Sequence, residues 1–396
     1  MNLGQVLDSR NNALNAWRIT LAIGVIFSHT FPLTGREVSY LPVHQLLADV
    51  WVDGFFAMSG FLITSSWLNN PRARDYFVAR CLRILPGLWS CLIITAFVIA
   101  PIGVAIQGGS ATNLLRSTAP ILYVLKNSAV AWLQPDIAGT PNGVPWPHGW
   151  DGSLWTLLWE VLCYIAIFGL GVFGLLKRRW PIVAVMMLAL ICAAILPPKR
   201  AFDVDAGAAT QHHVVDGATA LTLVGVVAAR FAVVFLAGAL LYQFRNVIPA
   251  RWSIVAVSIG VVLAAALLPD YRLIGAIPLA YAIIVSGALI HNKRLRLRTD
   301  LSYGVYIYAF PVQQLLIICG LGILNPLLFA LIATIATLPL AALSWFVVEK
   351  PALSLRSRLK RKASPGQDAP PRVDGFGVGP PLPVEGHRDA AERRAD

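Results

Sequence analysis

Four ionisable residues interrupt long apolar stretches of this 396-residue chain: His29, Asp53, Glu160 and Arg230. A charge at membrane depth is costly, so each marks a candidate site for chemistry. His29, in AIGVIFSHTF, has the side chain best suited to take a proton near neutral pH. Arg18 lies eleven residues before it. In a helix that is about 16 Å along the axis, and close to three full turns, so both share one face. Asp53 lies in WVDGFFAMSGF. If the first two helices form a hairpin, Asp53 comes to a depth similar to that of His29. A carboxylate there could fix the imidazole tautomer and stabilise its cation. The plainer alternatives are a hydrogen-bonded core histidine and an interface aspartate.

Arg80 and Arg83 form an R-x-x-R pair beside Arg72 and Arg74. Helical spacing puts the pair on one face. They either set topology or offer forked donors to phosphates. Glu160, in GSLWTLLWEVLCY, and Arg230, in AARFAVVF, either neutralise each other or serve a site. Trp146, His148, Trp150 and Asp151 bunch together in PWPHGWD. Aromatic and polar groups of that kind suit a sugar ring, and equally an interfacial belt. His212, His213 and Asp216 lack the spacing of a metal motif, and no metal site is expected. The five cysteines are scattered without a CxxC pair, which argues against a disulfide framework or a zinc site.

The elements that position these residues follow from composition. The chain is 57% hydrophobic and 13% charged, with a mean hydropathy of +0.67. That excludes a disordered protein and argues against a cytosolic enzyme. The net charge of +12 reads as basic membrane-flanking loops rather than as a nucleic-acid surface. Ten apolar runs are expected to cross a bilayer, near 17–33, 50–68, 84–106, 152–176, 181–196, 219–242, 252–268, 272–290, 303–322 and 326–348. The fold class is therefore all-α, a polytopic membrane protein of about ten transmembrane helices. The polar N-terminus shows no removable signal peptide. Lys and Arg in alternate connections and after the last run number 21, against 6 in the opposite connections, which puts both termini in the cytoplasm. Three regions are expected: a cytoplasmic segment at 1–14, a transmembrane domain at 15–355, and a basic then Pro- and Gly-rich disordered tail at 356–396. The largest outer connection, 107–150, is expected to carry a surface helix near Leu114–Trp132.

In this order the motifs resemble the acyltransferase-3 family of integral membrane acyltransferases. The features are Arg18-x10-His29, VDGFFAMSGFLI (52–63), the Arg80/Arg83 pair, GSLWTLLWEVLCY (152–164), LSYGVYIYAFPVQQ (301–314) and FVVEKPALSL (346–355). Each is weak alone; six in order, from Asn15 to about Leu355, are specific. The resemblance implies an enzyme of the cell membrane that O-acylates polysaccharides or other acceptors. It implies a catalytic His29, and acyl-donor handling by Arg80 and Arg83 at the cytoplasmic face. Two departures matter. Ala309 stands where the family often has a histidine. The extra extracytoplasmic domain of some members is lacking.

The reading combines these strands. Acetyl-CoA is the co-substrate, held by Arg18, Arg80 and Arg83. His29 is general base or transient acyl carrier, with Asp53 and Glu160 completing the catalytic set. Trp146, His148, Trp150, Asp151 and Arg230 face the carbohydrate acceptor. Backbone near Ser59–Gly60 is the nearest candidate for oxyanion donors. The rival from another class is a transporter or flippase of a lipid-linked saccharide. Inverted repeats would favour it, and none is visible.

Overall fold

The computed structural model describes residues 1–8, 11–197, 217–292, 294, 295, 297 and 299–355. Among them the fold is all-α, with no strand beyond two isolated bridges. Seven helices among the described residues are long and apolar enough to cross a membrane. They are α1 (Leu14–Leu33), α2 (Leu41–Asn69), α3 (Ala73–Ile106), α4 (Trp155–Val172), α6 (Thr219–Gln243, beginning at Gly217), α8 (Arg272–Leu289) and α10 (Pro326–Leu355). Three shorter apolar helices complete the set: α5 (Arg179–Ile195), α7 (Trp252–Ala265) and α9 (Ser302–Ile318). Each of the ten expected runs coincides with one of these helices. The chain is a polytopic helical membrane protein. The tail after Leu355, and His212, His213 and Asp216, lie outside the described residues.

Local chemistry explains the boundaries. Gly174 and Gly320 take positive φ values of 71° and 84° just beyond α4 and α9, the left-handed stop that suits glycine. Pro326 opens α10, where its missing N–H costs nothing, behind an Asn325 side chain that accepts from the Leu327 N–H. The expected surface helix is two short ones, Ala111–Arg116 and Ala119–Asn127. They are separated at Ser117, whose backbone is extended, and Pro120 stands in the first turn of the second helix, where its missing N–H costs nothing.

Close packing rests on small residues, as in membrane bundles generally. A Cβ at Gly60 would sit 1.9 Å from the Phe235 carbonyl oxygen, and one at Gly238 would sit 1.8 Å from that of Ala57. Helices α2 and α6 therefore meet backbone to backbone. Beside this crossing Phe56 and Phe231 stack at 4.1 Å. Large apolar side chains on the outside of the bundle, such as Ile93, Phe97 and Val98 on α3, are exposed and suit a lipid environment.

The connections gather in two sets. The N-terminal segment is not a loose extension: Leu3 is fully buried, its N–H donates to the Ile248 carbonyl, and the Asn2 amide donates to that of Asn246. Asn15 donates to the Leu297 carbonyl at that same end. At the other end Arg36 reaches the Ile323 carbonyl, and Gln45 donates to those of Ala266 and Leu268.

Candidate active site

Two helix pairs set the depth of every candidate residue. The first is α1 against α2, which run antiparallel. A Cβ at Gly24 would strike the Trp51 ring, and one at Gly54 would strike Leu21. By that register Asp53 lies opposite Ala22. It is seven residues, about 10 Å, along α1 from His29. The second pair is α1 against α9, which run parallel. Arg18 meets Asp300 just before α9, His29 meets Phe310, and the Gln313 amide donates to the Ile26 carbonyl at 2.9 Å and to the Thr30 hydroxyl at 3.3 Å. The roughly 16 Å between Arg18 and His29 is thus carried on two parallel helices.

At the N-terminal end of this parallel pair is a charged cluster. Asp300 Oδ2 bridges Arg18 Nη1 at 2.5 Å and Arg83 Nη2 at 2.7 Å, and its Oδ1 accepts from Ser302 Oγ at 2.5 Å. Arg83 also faces Glu349, with Nη1 3.8 Å from Oε2, and the other oxygen of Glu349 accepts from Ser344. Burial acts to raise the Asp300 carboxyl, but the Arg83 and Arg18 guanidiniums outweigh it and hold the group well below the usual carboxylate range.

Arg80 takes a different direction from Arg83. Its guanidinium stacks 4.2 Å from the centre of the Tyr76 ring and 6.0 Å from that of Tyr164, and it donates to the Tyr76 carbonyl. Tyr164 and Ser59 both donate to Glu160 Oε1, Ser59 at 3.1 Å. Ser59 lies level with Ala16, so this group belongs to the same half of the bundle as Arg18. That is about 20 Å along the axis from His29. The Ser59 side chain is therefore bound to Glu160 and remote from the imidazole.

His29 is half-buried. Its ring meets Phe310 edge-on at 5.1 Å, and its buried Nδ1 has no hydrogen-bond partner among the described residues. Phe310 in turn meets Trp146 at 5.9 Å. The 107–150 connection is bolted to α9 at this point: the Gln314 amide donates to the carbonyls of Trp146 and Gly149 at 2.8 and 2.7 Å.

Three expected groupings are corrected. Asp53 does not meet His29. Its Oδ2 lies 2.6 Å from Arg272 Nε and accepts from the Tyr271 hydroxyl, because the hairpin register carries it deeper than the imidazole. Glu160 and Arg230 do not pair. Arg230 lies 3.1 Å from Asp49 and 4.0 Å from Asp270, in a buried network that also holds Arg272. The parallel α2/α6 packing puts Arg230 beside the N-terminal part of α2, whereas Glu160 faces Ser59 further along that helix. The cluster of Trp146, His148, Trp150 and Asp151 does not present one face. Trp150 and Asp151 are fully buried, Trp150 against Gly103 and Ile318. Asp151 Oδ1 accepts from the backbone and hydroxyl of Ser153 at 3.0 and 2.6 Å. Burial raises the Asp151 carboxyl to about 7 against these Ser153 hydrogen bonds. His148 Nδ1 is 2.8 Å from the Gly139 carbonyl, while Trp146 is half-buried beside Phe310. Among the described residues no group of three or more His, Cys, Asp or Glu side chains is placed to hold a metal.

The comparison with known proteins bears on what this arrangement does. The family model described as an acyltransferase domain, acyltransferase-3, matches residues 11–346. The chain belongs to the acyltransferase-3 family. It is an acyltransferase embedded in a membrane, and the match spans Arg18, His29, Arg83 and Asp300. An O-acetyl transferase of Shigella phage Sf6 is 28% identical over 361 residues, covering 88% of this chain and 98% of the relative. Nodulation protein 10 of Rhizobium leguminosarum bv. viciae is 28% identical over 364 residues, covering 88% and 95%. No solved structure matches.

Sequence reasoning missed several members of the acyltransferase's polar clusters. Asp300 follows the basic run RLRLRT and looks like a loop residue; its one signal is an acid directly ahead of an apolar helix. Glu349 and Asp49 each end a π-helical turn, at 345–349 and 45–49. A wider turn re-aims a side chain in a way that 3.6-residue periodicity does not reveal. Arg272 counted as an outer-loop charge, yet its side chain is 4% exposed and bound by three aspartates.

Proposed function

We propose that the protein transfers an acyl group, acetyl from acetyl-CoA, to a hydroxyl of an extracytoplasmic carbohydrate, with both termini in the cytoplasm and ten crossings of the cell membrane. One observation carries this reading. A histidine with an unpartnered buried nitrogen stands about 16 Å along two parallel helices from a mouth bearing Arg18 and Arg83. That span is comparable to the pantetheine arm. The nucleotide phosphates then stay near the guanidiniums while the thioester reaches His29. Each guanidinium has five donors, and Asp300 engages one nitrogen of each at hydrogen-bond distance, so donors remain for an anion. Arg80, stacked on Tyr76, borders the same mouth.

In the transfer, the acceptor hydroxyl gives its proton to the His29 imidazole as its oxygen attacks the thioester carbonyl. The carbon–sulfur bond breaks, and the CoA thiolate takes the proton back from the imidazolium. An acyl-imidazole formed first on His29 balances equally, with attack by the hydroxyl in a second step. Trp146, joined to His29 through Phe310, is the aromatic surface for the sugar, with His148 in the same connection. Trp150 and Asp151 support that connection from within. The name of one relative, an O-acetyl transferase, agrees with transfer to a hydroxyl oxygen.

The test is acetyl-CoA turnover by the purified protein in lipid vesicles, with and without crude polysaccharide. Polysaccharide-dependent release of CoA with label appearing as an alkali-labile ester supports the reading. Movement of a labelled lipid-linked saccharide across the vesicle with no CoA released supports the transporter instead.

A further inference from the structure

The R-x-x-R pair does not stand alone at the inner mouth; a carboxylate from a distant part of the chain is threaded into it. Asp300 Oδ2 lies 2.5 Å from Arg18 and 2.7 Å from Arg83, residues on α1 and α3. One oxygen therefore holds two cations within about 5 Å of one another, a separation at which bare guanidiniums repel. The carboxylate is itself aimed, since its second oxygen accepts from Ser302 Oγ at 2.5 Å. The connection bearing it is pinned to α1 by the Asn15 amide on the Leu297 carbonyl. The arginine side chains remain a quarter exposed, at 26% and 25%, whereas that of Asp300 is 12% exposed. The acid sits behind the two cations rather than in front of them.

We propose that Asp300 is a positioning residue for the acyl donor: its carboxylate sets the spacing of Arg18 and Arg83, so that their remaining N–H groups together donate to one phosphate group of the CoA nucleotide. This rests on the donor reading above and adds to it a residue outside the R-x-x-R motif. It also separates the two arginines of that motif. Arg83 acts through the Asp300 bridge in concert with Arg18, whereas Arg80 borders the mouth from its place on Tyr76. The phosphate does not replace the carboxylate; it adds on the open side of the pair. Removing the carboxylate then weakens donor binding, although the mouth becomes more positive.

The experiment is equilibrium binding of radiolabelled acetyl-CoA to the full-length protein in lipid nanodiscs. Asp300→Asn is expected to raise the Kd for acetyl-CoA about ten-fold, the loss of one well-aligned charge-assisted contact. Asp300→Glu, which keeps the charge, should recover most of that loss. Ser302→Ala keeps the carboxylate but removes its aim, and should raise the Kd about three-fold. If the Asn variant does not fold, the Ser302 variant decides the matter on its own. Wild-type affinity in the folded variants overturns the inference and leaves the donor reading intact. So does tighter binding by Asp300→Asn, which would make the carboxylate a competitor of the phosphate. A wild-type protein that binds no acetyl-CoA overturns the donor reading and this inference together.

Discussion

Asp53 and His29 occupy adjacent helices at different depths, Asp53 opposite Ala22 and about 10 Å along α1 from the imidazole. The Asp53 carboxylate is bound by Arg272 and Tyr271, not by the histidine. Asp53→Asn is therefore expected to act on stability first. Breaking a buried pair costs about 3–5 kcal/mol when one charge is left uncompensated. Here Arg272 keeps Asp49 and Asp270, so the lower end applies. The thermal unfolding midpoint should fall while activity per folded protein stays within a few-fold of wild type. A loss of turnover with an unchanged midpoint would assign Asp53 to the chemistry instead.

The α2/α6 crossing makes a steric forecast. Gly238→Ala puts a Cβ 1.8 Å from the Ala57 carbonyl oxygen, which only a separation of the helices can relieve. Overpacking of this kind costs about 1–3 kcal/mol or more. Gly260→Ala on α7 meets nothing within 4 Å and serves as the control. Yield of folded protein from membranes should drop sharply for the first substitution and hold for the second.

Asp151 supplies a pH dependence. Burial raises its carboxyl to about 7, above the ordinary range it has when unfolded, so the folded protein binds that proton more tightly. The stability it contributes is complete below the unfolded value, near pH 4, and is lost as pH rises through about 7. The thermal midpoint should decline from about pH 4 to about pH 7 and level off above that. Asp151→Asn, which keeps the hydrogen-bonding shape without the ionisation, should flatten that decline.

The topology proposed from the charge bias is checked by reporter fusions. A fusion after Lys362 is expected to read cytoplasmic, and one within 197–218 extracytoplasmic. Opposite readings at both positions would place the Arg18–Asp300–Arg83 mouth away from a cytoplasmic donor.

Much of this molecule is legible in its sequence because lipid imposes length and apolarity on each element. The ten runs found from composition coincide with ten helices, down to the short α5 and α7. His29 and Arg18 stand out for the same reason, as polar residues where polar residues are costly. What the sequence hides is partnership. Asp53 and His29 look like neighbours until Gly24 and Gly54 fix the register of α1 on α2. Glu160 and Arg230 have complementary charges but face different helices. Asp300 and Glu349 acquire their meaning only when α9 and α10 bring them to Arg83, 217 residues from Asp300 in the chain. Trp150 looks like an interfacial aromatic, yet a glycine at 103 opens the space that buries it.

The central claim is that His29 takes the acceptor's proton, and the most direct measurement is acyl transfer per folded protein in His29→Gln. Glutamine retains hydrogen-bonding capacity and approximate size but cannot act as a base. Loss of general-base catalysis should lower the rate about 10²- to 10⁴-fold with normal membrane insertion, and His29→Ala should be no better. Near-wild-type specific activity in His29→Gln would contradict the account and leave His29 as a packing residue against Phe310.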